Sequence, residues 1–421
     1  MMDRRVLQRK SWSDIHRDIL EEILRKLTLF DYLKCRQICR SWRGAIDDAL
    51  VINKYVTSAS SMPRHASQFP FLILFPSTFI YNSHDNPAIT AIMSDITQED
   101  TSYTIPTKTW EGYFDFDGIH VMSMHGWLVF QKIYHYVENK SLLLYFTNPV
   151  SAEGFVLPHL PLFLGQEEAD IINYNYGYTY TSASVKLIFS SAPYSSDFLV
   201  VACAQCGTAT QLAFWKVKDK SWTLISNKES QQENFHEFVI LDWKLYAMSS
   251  MHFSLSGSVF VFDLRDSNNI TFEKLQLEKI PKGTDNSRQT CMLARDKGEI
   301  LLVLHFYDTI CETTKGFRVF KLDISGSRWI EVDDLGDRIL LKDYTGIQVL
   351  SAKEIKLPQE LNGGNFVFFV DDPFMRRQQQ QHDFGVFSLK DKTITRFPLG
   401  RSSQVSDGGI IQCFWFMPSL W

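Results

Sequence analysis

Residues 317–332 read FRVFKLDISGSRWIEV. An apolar, aromatic run leads into a polar turn around Ser325-Gly326-Ser327, and a second aromatic-bearing run follows. The pattern reads strand, turn, strand, with Phe320 and Trp329 marking the two strands. The same order recurs in AFWKVKDKSWTLI (213–225), VFVFDLRDSNNITFEKL (259–275) and FGVFSLKDKTITRFPL (384–399). The aligned positions Trp215, Phe262, Phe320 and Phe387 are 47, 58 and 67 residues apart. A weaker copy, LLYFTNPVSAEGFVLP (143–158), surrounds Phe146.

An apolar strand precedes each copy, at Trp127–Phe130, Phe198–Ala202, Leu245–Met248, Ile300–Leu304 and Phe366–Val370. Each unit therefore offers three or four strands. That is the scale of a propeller blade, with unequal spacing read as loop insertion. Five such units plus a less regular one from Phe69 to Pro106 predict about six blades. The last strand, Gly409–Phe416, is expected to pair with the first blade and close the ring, which would remove exposed sheet edges.

Composition supports a β-rich body. Of 421 residues, 14% are aromatic, a class that favours half-buried pleated surfaces. The formal charge of −5 gives no argument for binding nucleic acid or an anionic membrane. The charge is uneven, however. Residues 1–54 carry twelve Lys/Arg and eight Asp/Glu, a net +4 that leaves −9 for the rest. The charged start MMDRRVLQRKSW has no apolar core of a secretory signal, and no apolar run is long enough to span a bilayer. Seven Cys in such a chain read as free thiols in a reducing compartment, cytoplasmic or nuclear.

Residues 12–54 carry helical spacing. Ile15, Ile19, Ile23 and Leu27 recur every fourth residue, and Leu20 and Leu24 widen the stripe. Acids lie early and Arg25-Lys26 late, as the helix dipole favours. Thr28 and Asp31 mark a break and a new N-cap, and Leu33, Ile38, Trp42 and Ile46 form the next apolar series. After Tyr55 a small, polar stretch reads as a linker. The expected organisation is α+β multidomain: a helical unit at 12–54, a linker at 55–68 and an all-β propeller-like domain at 69–421.

The helical unit, WSDIHRDILEEILRKLTLFDYLKCRQICRSWRGAI, resembles an F-box, the module that docks a substrate receptor onto the Skp-type adaptor of a cullin–RING ubiquitin ligase. Ile19-Leu20, Ile23, Leu27, Asp31, Cys35 and Ile38-Cys39-Arg40-Ser41-Trp42 carry the resemblance. Ile15-His16 departs from the usual Leu-Pro opening and lacks the proline start signal. The β body resembles the kelch-like domain of unknown function that follows the F-box in a large plant family. Gly126-Trp127-Leu128, Asn148-Pro149 with Leu157-Pro158, and the ending Phe414-Trp415-Phe416-Met417-Pro418-Ser419 carry that likeness.

The resemblance implies a non-catalytic subunit of an SCF-type ligase. Its partners would be the Skp-type adaptor, the cullin scaffold and a target protein. It implies an adaptor-binding face of Ile15, Ile19, Leu20, Ile23, Leu33, Ile38 and Trp42. Two loops suit target binding. Tyr174, Tyr176, Tyr178 and Tyr180 would place four phenols on one face of an extended segment, and Arg376 and Arg377 offer a basic tip.

No cofactor or metal is expected. Cys203 and Cys206 form the one C-x-x-C, without a second pair to complete a zinc site. His120 and His125 read as unrelated to it. Asp115-Phe116-Asp117-Gly118 lacks the twelfth-position acid of a calcium loop in either register. Asp333-Asp334 and Asp371-Asp372 read as solvated turn acids, since neighbours in a strand face opposite ways. Two other readings stay open. One is a propeller hydrolase with carboxylates at its centre. The other is a scaffold whose helical unit is wholly covered by the β body. Exposure of Ile19, Ile23 and Trp42 discriminates the scaffold from the docking module.

Overall fold

A computed structural model describes residues 15–24, 35, 39, 40, 42–44, 71–76, 91–94, 102–105, 120–135, 140–149, 153–162, 184–206, 209–225, 235–249, 258–278, 288–308, 313–353, 355, 361, 363–370, 383–397 and 410–417. The expected linker at 55–68 lies outside them.

The helical segment contributes α1 (Arg17–Leu24), with Asp18 in its first turn. Residues 35, 40 and 42–44 are also helical, and from Phe71 onward each described element is a strand. The first sheet opens with β1 (Phe71–Pro76), β2 (Ala91–Ser94) and β3 (Ser102–Ile105). The second holds β4 (His120–Met124), β5 (Trp127–His135), β6 (Lys140–Thr147), β7 (Gly154–Val156) and β8 (Leu160–Leu162). The third holds β9 (Ser184–Phe189), β10 (Leu199–Cys206), β11 (Ala209–Lys216) and β12 (Thr223–Ile225). The fourth holds β13 (Phe235–Leu241), β14 (Lys244–Ser249), β15 (Val259–Asp263) and β16 (Thr271–Leu275). The fifth holds β17 (Arg288–Asp296), β18 (Glu299–Tyr307), β19 (Thr314–Asp323) and β20 (Arg328–Val332). The sixth holds β21 (Arg338–Lys342), β22 (Ile347–Ser351), β23 (Phe366–Val370), β24 (Phe384–Ser388) and β25 (Thr393–Arg396). The last strand, β26 (Ile410–Phe416), returns to the first sheet beside β1.

Among the described residues the strands thus form six sheets. The third, fourth and fifth are simple antiparallel meanders in chain order. The sixth departs from this. There β22 folds back outside β21, so β21 meets β23 in parallel, with Ile339 beside Phe366 and Leu341 beside Phe368.

Every sheet is apolar on both faces, because each is covered by a neighbour on either side. Val200, Ala202 and Ala213 of the third sheet pack with Trp127, Phe146 and Leu144 of the second. Leu199, Val201 and Phe214, on the opposite face, pack with Phe238, Leu245 and Phe262 of the fourth. The fourth and fifth meet through Tyr246, Val261, Leu302 and Phe320. The fifth and sixth meet through Val303, Phe317, Leu340 and Phe387. The sixth meets the first through Phe368, Phe384, Leu72 and Trp415. Strand β26 also touches β4 of the second sheet, which completes the circuit.

The aligned aromatic positions acquire a physical meaning here. Trp215, Phe262, Phe320 and Phe387 enter four successive inter-sheet cores, each against the preceding sheet. The weaker copy differs: Phe146 packs toward the following sheet, in the same core as Trp215. A one-residue offset in a strand reverses the face, so alignment on Phe146 placed that copy one residue out of register.

Closure rests on β26. Its register with β1 pairs Phe416 with Phe71, Trp415 with Leu72 and Phe414 with Ile73. The fully buried Trp415 donates its indole N–H to the Lys342 carbonyl at 3.1 Å and its backbone N–H to Asp343 at 3.0 Å. Phe368 and Phe384 lie against its ring at centroid distances of 6.2 and 5.7 Å. Trp415→Ala removes these contacts and leaves a large cavity. It should destabilise the β domain by about 3–5 kcal/mol in denaturant unfolding, while Trp415→Phe should lose clearly less.

Candidate functional site

In the helical segment, α1 presents two unlike faces. Leu20 is 1% exposed and Trp42 5%, and they close on each other with Ile15, Ile23, Cys35 and Cys39 packed around them. Among the described residues this small core draws on the helical segment alone. Ile19, one residue from Leu20, is 59% exposed. A β-branched side chain in water on a helix with a buried face is an apolar contact point left uncovered among the described residues.

The expected adaptor face therefore divides. Leu20 and Trp42 are interior residues of the unit, closing on each other. Ile15 and Ile23 border that core, and Ile19 stands free of it. Leu33 and Ile38 lie outside the described residues, as do Tyr174, Tyr176, Tyr178, Tyr180, Arg376 and Arg377 of the proposed target loops. The calcium-like Asp115–Gly118 and the pair Asp371-Asp372 lie outside them too.

Cys203 occupies β10 and is buried, and burial pushes its thiol up to about 12. Cys206 ends the same strand. Asp333 and Asp334 follow β20. Asp334 accepts the Gly336 N–H at 2.7 Å, and Asp333 lies 3.6 Å from Lys392 in an exposed position. Both serve the turn.

The polar groups that sequence reading missed gather where the sheets converge. The first strands of the second to fifth sheets, together with β22, line a common central cavity. Lys186 of β9 forms an ion pair with the buried Glu237 of β13, and the second Glu237 oxygen accepts the Leu293 N–H of β17 at 3.1 Å. One carboxylate thus ties three sheets. Arg295, at the end of β17, donates to the Ile240 carbonyl at 3.1 Å and to the Ser190 carbonyl. His125 lies close enough to feel its charge; burial first, and Arg295 second, lower the imidazole pKa to about 4.

Three two-residue hairpins frame one end of these strands: His125-Gly126, Asp242-Trp243 and Lys297-Gly298, all with positive φ at both positions. That is the turn whose twist matches antiparallel strands. These positions were readable only as turns, since nothing in their local sequence says which turns share an end.

Asp343 holds the other junction. It is fully buried and accepts N–H bonds from Thr345, Gly346 and Trp415 and a hydroxyl bond from Thr345. Burial raises its pKa against those donors. Tyr344 donates its hydroxyl to the Val121 carbonyl, linking the sixth sheet to the second.

A family model described as KIB1-4 beta-propeller matches residues 94–388, and the F-box domain model matches residues 12–53. Among curated relatives, a putative F-box protein of Arabidopsis thaliana is 24% identical over 97% of this chain and 93% of its own. A second one is 25% identical over 84% and 82%. An F-box/kelch-repeat protein of the same plant is 32% identical over 28% of this chain and 30% of its own. Among solved structures, an ulvan lyase has a TM-score of 0.34 at 10% identity, covering 70% of this chain and 82% of its own. An exo-beta-1,3-galactanase from Clostridium thermocellum has 0.29 at 11%, covering 56% and 53%. Likeness at that level carries no argument about this chain.

Glu237→Gln removes the charge that neutralises Lys186. It should cost about 2 kcal/mol in denaturant unfolding, and Lys186→Met on the same background should recover part of that. A separate acid-sensitive group is Asp383, whose burial is outweighed by bonds from Thr314 and Arg396, so its pKa lies below the usual carboxylate range. Its contribution is present above the unfolded-state pKa and is lost as pH falls through the folded one. Asp383→Asn should flatten the acid limb of a stability–pH curve.

Proposed function

The chain belongs to the plant F-box proteins that carry a KIB1-4 beta-propeller, and on that premise we propose that it is a substrate-recognition subunit of an SCF-type ubiquitin ligase. In general terms an F-box implies docking on a Skp-type adaptor. The finer reading is that α1 docks through the side of Ile19 while the ring of sheets holds a target protein. Such a subunit does no bond chemistry. It raises the local concentration of a target lysine at the activated carrier, which is catalysis by proximity. Work in a reducing compartment, the cytoplasm or nucleus, fits its free thiols.

The exposure of Ile19 carries the reading. A scaffold whose helical unit served only to cover the β body would bury that side chain. Here the buried side of α1 is satisfied within the unit by Trp42, and the apolar residue left over points to water. Ile15 and Ile23, at the border, are placed to extend a contact centred on Ile19. Target contacts fall to the loops, including the Tyr174–Tyr180 and Arg376-Arg377 segments.

Ile19→Asp should weaken capture of the Skp-type adaptor at least tenfold while leaving the circular-dichroism spectrum and melting of the chain unchanged. Leu20→Ala and Trp42→Ala should lose adaptor binding together with helical signal, since they remove the unit's core. Adaptor capture by Ile19→Asp equal to the unsubstituted chain would refute docking through this face. Affinity capture with the ligase stalled should recover adaptor and target with the intact chain, and target without adaptor when residues 1–54 are deleted.

A further inference from the structure

The central cavity has a volume of about 520 Å³. Sites for small molecules run on the order of 300–1,000 Å³ and are mostly apolar with a few convergent polar groups. This cavity fits both descriptions. Met122, Ile188, Phe238, Leu293 and Ile347 supply apolar wall. Set into that wall is Arg295.

The position of Arg295 is unusual for a half-buried cation. Two of its N–H groups donate to backbone carbonyls, of Ile240 and Ser190. Among the described residues no carboxylate lies within ion-pair distance of its guanidinium; Asp197 and Asp242 act on it only at longer range, and burial pulls its pKa down. Of the other cations, Lys186 and Arg338 are paired directly, and Lys297 in the same wall is exposed. Lys186 has Glu237, and Arg338 has Glu299 at 2.9 Å. A guanidinium carries five donors in a planar fork, so Arg295 retains donors that neutral carbonyls do not use. A desolvated charge without a contacting counter-ion is costly, and an anion reaching it from the cavity would be held by charge-assisted bonds.

Ser123 Oγ, in the same wall, is buried without a hydrogen-bond partner. The planar fork of Arg295 matches the two oxygens of a carboxylate.

We propose that the central cavity binds a small amphipathic monoanion, its carboxylate head on Arg295 and its apolar body along Met122, Ile188 and Leu293. This site is independent of adaptor docking.

The test titrates the full chain with 4-phenylbutanoate and with 4-phenylbutanamide, which has the same body without the charge, by calorimetry and thermal unfolding. The carboxylate should bind saturably at one site and raise Tm with concentration. The amide should bind at least tenfold more weakly. Arg295→Gln should reduce carboxylate affinity at least tenfold and leave the amide unchanged, and Arg295→Lys should retain part of the preference. If Arg295→Gln fails to fold, the carboxylate-to-amide ratio of the unsubstituted chain and of Arg295→Lys decides. Equal affinity for the two probes, saturable binding of neither, or undiminished carboxylate binding by a folded Arg295→Gln would overturn the proposal. Intact adaptor capture in Arg295→Gln would separate this outcome from any failure of the docking reading.

Discussion

The constraint on which the β domain depends is that its last strand must come back to its first. Each sheet is apolar on both faces, so no sheet is stable alone, and a linear stack would leave two large apolar faces in water. Bending the stack into a ring removes both ends. The seam is made by β26, which pairs with β1 while Trp415 packs on the sixth sheet and bonds Lys342 and Asp343. The β1–β26 pairing joins Phe71 to Phe416, at opposite ends of the β domain, so that domain must fold nearly whole before the seam can form. Contacts of such separation make folding slow relative to local structure.

Burying so much aromatic surface would be undirected without polar nodes to set the rotation of each sheet. Glu237 does this at the centre, joining Lys186 on one side and the Leu293 amide on the other. Asp383, with Thr314 and Arg396, does it between the fifth and sixth sheets. A buried ion pair contributes little net stability compared with an apolar replacement, but removing one partner is costly. Its effect is therefore to penalise wrong arrangements. Arg295 departs from this pattern, since its contacting partners are carbonyls rather than a carboxylate.

The helical unit follows a different logic. It is small, and its core consists of Leu20 and Trp42 with a few half-buried neighbours. With little interior of its own, such a unit commits its best apolar residues to folding. Ile19 is left exposed. Periodicity placed Ile15, Ile19, Leu20 and Ile23 on one stripe, and that stripe is real. It spans about 100° of helix surface, wide enough for one edge to be core and the other to be exposed.

Local sequence determined the two-part organisation, the strand–turn–strand units and the aligned aromatics, because period-two alternation and turn chemistry are set by neighbours in the chain. It also carried the F-box residues and the return of the final strand. Tertiary structure alone decided three things. It decided which face of each sheet Phe146 and Trp215 share, since a one-residue offset reverses a strand. It separated Leu20 and Trp42 from Ile19, since burial depends on what folds over a face. And it assembled Lys186, Glu237, Arg295 and His125 around one cavity. Those residues come from three strands and one hairpin turn up to 170 positions apart, on no common local pattern, and only closure of the ring brings them together.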